Sequence, residues 1–145
     1  MRTLMVLSGA AVLLFALQCA GTPAPESTLA APVPGDTLTL AQLMRVMERH
    51  GDSTRMALAQ GRELPPFPEV VGRMRSARPT PGMHIDSMSF PIFAKDYENK
   101  LQALYDAPVE ERGMAYNALV QSCANCHGSH CPGPLMKIRK MYLTP

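Results

Sequence analysis

From residue 36 onward, apolar side chains recur every three or four positions in four separate stretches, the interval that lines one face of an α-helix. The first stretch, 36–62, opens on Asp36 as a candidate N-cap and carries Leu40, Met44, Met47, Gly51, Thr54 and Leu58 on one stripe. Gly51 leaves a gap in that stripe, where another group can approach the backbone. The second stretch, 69–77, follows "LPPFP" and puts Val70, Met74 and Ala77 on one side. The segment "RPTPGMHIDSM" then reads as a loop, because its Pro and Gly content breaks regular structure.

The third stretch begins at "SFPIF", with Ser89 as cap and Pro91 in the first turn, where a missing N–H costs little. Phe90, Phe93, Tyr97, Leu101 and Leu104 line its face, and it stops near Asp106. The fourth begins at Pro108, with Glu110 and Glu111 suited to a helix N-terminus, and its face reads Val109, Gly113, Tyr116, Val120, Cys123, His127. No stretch sustains a two-residue alternation. The expected fold is therefore all-α, an antiparallel four-helix bundle.

The residues ahead of this region read differently. "MRTLMVLSGAAVLLFALQCAG" has a single basic residue, Arg2, before an apolar run that is too short for a dedicated membrane span. Residues 1–19 read as an export signal. Cys19, followed by Ala20 and Gly21, resembles a bacterial lipoprotein cleavage site, although Gln18 stands where that pattern prefers a small residue. The expectation is a lipidated Cys19 anchoring an extracytoplasmic domain to the membrane; a soluble periplasmic protein is the alternative. Residues 20–35 are rich in proline and poor in apolar periodicity, a semi-rigid tether between anchor and domain. The formal charge of +2 is too small to indicate nucleic acid as a partner, and the runs "RMRSAR" and "KIRK" read as solvated faces. Most of the 11 methionines read as adaptable core filler.

The chemistry concentrates in "SCANCHGSHC", 122–131, which holds three of the four cysteines and two of the four histidines. Cys123, Cys126 and His127 form C-x-x-C-H. On a helix the two thiols lie one turn apart on one side, where each can add to one vinyl group of a haem, and the next imidazole can reach the iron. This is the c-type haem attachment signature. Two alternatives stand beside it. A zinc site would use Cys123, Cys126, His130 and Cys131, but those crowd together without a second knuckle. A disulfide would join Cys123 to Cys126; a thioredoxin-like redox pair lacks its βαβ setting.

Only a short tail follows His127, so the motif rides on the last predicted helix. With "LMRVMERHG", "SFPIFAKDYENKLQAL" and "ALVQSCANCH", this arrangement resembles the class II cytochromes c, the cytochrome c′ family, over about 39–130. The resemblance implies a haem-binding bundle over 36–131 with one covalent haem c, an iron ligated by His127, and Phe93 packing near the haem. It implies that the first helix crosses the opposite haem face. The ligand methionine of low-spin members stands four residues before a glycine, which selects Met47 relative to Gly51, with Met44 as the fallback. Packing of both against the haem is the plain alternative, and His50 and His84 are weaker ligand candidates. The family's aromatic and basic residues after the histidine are replaced by His130 and Cys131, so Lys137, Arg139 or Lys140 would take over the contact to a haem propionate. His130 is expected as a surface or propionate partner rather than an iron ligand. Cys131 is expected as a free thiol, and an intermolecular disulfide through it is a route to a homodimer. The extension 132–145 has no expected position. The function so implied is electron transfer with redox partner proteins, not enzyme catalysis. The alternatives are a five-coordinate binder of NO or CO and a haem subunit of a larger membrane-associated complex. A haem enzyme would need a distal acid–base group that nothing in the sequence compels.

Overall fold

Thr39 starts the first helix. In a computed structural model, which describes residues 38–144, its hydroxyl accepts the Gln42 N–H at 3.3 Å, and the Gln42 side chain accepts the Thr39 N–H at 2.8 Å. This reciprocal capping box sets the start of α1, Leu40–Ala59. The expected cap Asp36, the export signal 1–19, Cys19 and the tether 20–35 all lie outside the described residues. Beyond the helix end, Gly61 takes a φ of 61°, the left-handed conformation that glycine reaches without penalty.

The second stretch folds as a 3-10 helix, Glu69–Ser76, rather than an α-helix. Pro65, Pro66 and Pro68 precede it and Gly72 sits in its middle, so little favours α-helical propagation. The buried pair is accordingly Val71 and Met74, three apart, and not Val70 and Met74. That spacing matches three residues per turn. The Leu40 N–H donates to the Arg78 carbonyl at 2.7 Å and ties this segment to the start of α1.

The helix α2, Phe90–Asp106, is not capped by the side chain of Ser89, whose backbone is already helical. Asp86 takes that role. Its carboxylate accepts the Ser89 N–H at 2.7 Å and the Ser89 hydroxyl at 2.6 Å. These bonds, with the Ser89 hydroxyl first, hold the Asp86 carboxyl below its ordinary range. A 3-10 turn, Val109–Glu111, precedes α3, Arg112–His130. Val109 is 70% exposed and so does not belong to the core stripe. After a proline-glycine turn comes α4, the single turn Leu135–Ile138.

The chain is thus all-α, with no strand among the described residues. Three helices are long; the second of the expected four is the 3-10 helix. The core forms where α2 packs on α3, with Leu101, Leu104, Tyr116 and Val120 almost wholly buried. The face of α1 turned to it is rotated from the expected stripe: Leu43 and Ala57 are buried, whereas Met44 and Leu58 stand half-buried at its edge. The buried Tyr116 hydroxyl donates to the Gly51 carbonyl at 3.1 Å and joins α3 to α1. Among the described residues no helix is long and apolar enough to cross a membrane.

His50 ties α1 to α2. Its Nε2 lies 2.8 Å from the Tyr105 hydroxyl, which donates its own proton to the Pro65 carbonyl at 2.6 Å. The hydroxyl must therefore accept from Nε2–H, which leaves Nδ1 unprotonated, buried and without a partner. Burial pushes the imidazole pKa below its usual value, against a smaller opposing effect of the Pro66 carbonyl.

Truncating the fully buried Leu101 to alanine should destabilise the fold by about 2–5 kcal/mol, read from the shift of a denaturant midpoint; a cost below about 1 kcal/mol would mean that this core is not packed as described. The His50 effect has a definite sign. A base whose pKa falls on folding makes the unfolded chain bind more protons, so stability drops as pH falls below 6.5 towards the lowered folded value. His50→Gln retains a donor for Tyr105 but cannot titrate, so its stability should depend less on pH between about 7 and 5. Equal slopes in the two proteins would contradict the assignment.

Candidate functional site

The last turns of α3 carry Cys123, Cys126 and His127. The helix stops because Cys131 leaves helical geometry and Pro132 follows, disfavouring a helical residue before it. The Cys131 N–H still closes the final turn onto the His127 carbonyl at 3.2 Å. In return, His127 Nδ1 lies 2.9 Å from the Cys131 carbonyl oxygen. A carbonyl can only accept, so Nδ1 carries the proton and Nε2 is left with a free lone pair. An imidazole held in this way has one orientation and one tautomer, as ligating histidines do.

His127 borders a cavity of about 330 Å³. Its α3 wall also holds Tyr116, Val120 and Cys123, and its α1 wall holds Met44, Met47 and Gly51. Met83 enters from the loop before α2. The C-terminal segment closes the space with Pro134, Ile138 and Met141. Almost the whole lining is apolar, and charge appears only through Arg45, Glu48 and Lys137. Lys137 pairs with Glu48. A smaller cavity, about 30 Å³, is bordered by Met74, Phe93 and Cys126 and shares Met44, Met47, Cys123 and His127 with the larger one.

The apolar surroundings act directly on the thiols. Burial pushes the Cys123 thiol up to about 12, with the neighbouring Cys126 adding to the shift. Burial also raises Cys126, with Cys131 as the secondary cause. Both therefore stay protonated at neutral pH. A redox-active pair needs the opposite, a thiol made acidic by positive surroundings. All three described cysteines are free thiols. His130 is turned away from them. Its Nε2 lies 3.2 Å from the Ser89 hydroxyl, and its ring meets the Phe93 edge at 5.4 Å with an interplanar angle of 82°. It thus pins the end of α3 to the start of α2. No three His, Cys, Asp or Glu among the described residues converge to hold a metal ion, so the zinc set with His130 is not assembled.

The structure therefore gathers Met44, Met47, Cys123 and His127 around one space, with Cys126 and Phe93 at the adjoining smaller one. His50 is bonded to Tyr105, and His84 is exposed; neither borders either cavity. Of the basic residues in the tail, Lys137 reaches the larger cavity, while Arg139 and Lys140 are exposed elsewhere. Sequence reasoning missed Arg45, Met83 and Met141. Arg45 lies off the apolar stripe, Met83 lies in a loop without periodicity, and Met141 follows α4, which is too short to show a repeat. No family model, curated protein or solved structure matches the chain.

Proposed function

We propose that this chain is an exported c-type cytochrome of the class II kind, which holds one covalent haem and carries electrons. The observation that carries this reading is His127, whose Nδ1 is committed to the Cys131 carbonyl while Nε2 stays free, on the same helix as the two thiols of the C-x-x-C-H motif. The residues fit the group. The cavity is apolar, and Cys123, His127 and Met47 border it together. Cys123 and Cys126 would hold the haem by thioethers, and His127 Nε2 would ligate the iron. The raised thiol pKa values argue against reversible thiolate redox chemistry at this pair. Arg45 and Lys137 offer positive charge for the carboxylates of the group. α1, the 3-10 helix Glu69–Ser76, α2 and α3 would serve as the four elements of the family's bundle.

A haem held in this way supplies a one-electron iron couple. Met47 would supply the second ligand to the iron. It is buried on the α1 wall and borders both cavities, and a thioether ligand raises the potential of the iron. Met44, half-buried beside it, is the fallback. The apolar lining also favours a second reading, a five-coordinate iron that binds NO or CO. Membrane attachment through lipid on Cys19, docking with redox partner proteins and a homodimer belong to the same proposal.

Denatured protein should keep its haem mass on a peptide that contains both Cys123 and Cys126. Haem that extracts freely into acid organic solvent would sink the reading. The reduced protein should give a low-spin spectrum that turns high-spin in Met47→Ala and stays low-spin in Met44→Ala. The reverse pattern moves the ligand to Met44, and a native high-spin spectrum with rapid CO binding selects the gas-binding reading instead.

A further inference from the structure

The sequence leaves a gap at Gly51 where another group can approach α1 closely. The structure gives that space to another side chain: a Cβ built on Gly51 would lie 2.6 Å from Met141 Cε. Met141 thus rests on the α1 wall of the cavity whose α3 wall holds Cys123 and His127. It is only 8% exposed, although it lies near the end of the chain. The segment that delivers it is fastened at both ends. Asn117 grips the backbone of Leu143 with both atoms of its amide, donating from Nδ2 to the carbonyl at 3.0 Å and accepting the N–H on Oδ1 at 2.9 Å. The Tyr142 hydroxyl donates to Gln121 Oε1 at 2.8 Å. At the other end Ile138 is buried and Lys137 pairs with Glu48 of α1.

We infer that Met141 is a gate on the α1 side of the cavity, which restricts the access of small exogenous ligands to the group bound there, with the C-terminal segment as its carrier. This rests on the haem reading above. A group lying against α1 at Gly51 meets the Met141 methyl before it meets the helix. An unbranched thioether side chain can swing aside for a diatomic molecule. A bulkier ligand needs the segment to lift, which breaks the two bonds to Asn117.

Two measurements test the gate. In the first, hydrogen peroxide oxidises the intact chain and the sulfoxide at each methionine is followed by mass. Met141 should react about tenfold or more slowly than the exposed Met114 and Met136, and Asn117→Ala should remove most of that protection. Oxidation of Met141 at the rate of Met114 overturns the proposal without reference to haem. The second measurement is the CO association rate after flash photolysis, in haem-bearing Met47→Ala, where the sixth position is open, and in Met47→Ala/Met141→Ala. The second variant should bind CO about tenfold faster. Gly51→Ala, which pushes the Met141 methyl aside without deleting it, should also change the rate in the Met47→Ala background. Should Met47→Ala not fold, Met47→Leu, closer in volume, takes its place in the comparison. Rates within about twofold of one another, with haem attached, overturn the gate alone. A chain that carries no haem mass overturns the functional reading and the gate with it.

Discussion

The hydrogen bond between His127 Nδ1 and the Cys131 carbonyl closes the last turn of α3 and decides which imidazole nitrogen stays free. It depends on the helix ending at that point, and the helix ends there because Pro132 follows Cys131. Were α3 one turn longer, the Cys131 carbonyl would accept a backbone N–H instead. The tautomer would then be unset. The same helical turns carry the two thiols.

A buried polar atom needs a partner. His127 has one nitrogen satisfied by backbone, and its ring borders an apolar cavity. Nothing positive stands close enough to make the thiols acidic, and burial dominates their state. His130 has been drawn into structure, bonded to Ser89 and packed on Phe93, so two histidines in one short motif do different work.

The walls of the cavity come from parts of the chain far apart in sequence. α1 contributes one side through Met47 and Gly51, and the C-terminal segment covers it through Ile138 and Met141. The close approach that the gap at Gly51 allows is made by Met141. The Tyr116 hydroxyl on the Gly51 carbonyl and the Asn117 grip on Leu143 leave from successive residues of α3. One helix thereby holds both the α1 wall and the segment that covers it.

The sequence by itself determined the helical class, the extents of α2 and most of α3, and the setting of C-x-x-C-H on the last long helix. These rest on local information: apolar periodicity, prolines at element starts and the spacing within one turn. It misplaced the caps, the form of the second stretch and the rotation of α1. Thr39 and Asp86 cap the helices for which Asp36 and Ser89 were expected. Residues 69–76 follow a three-residue repeat because only Val71 and Met74 find a core to enter. Leu43 displaces Met44 from the core because the rotation of a helix is set by what packs against it, and a stripe of period near 3.6 fits two adjacent faces almost equally well. The contact of Met141 with Gly51 lies wholly beyond local pattern: it joins a helix at the start of the domain to a tail too short to be periodic, and only the tertiary structure brings them together.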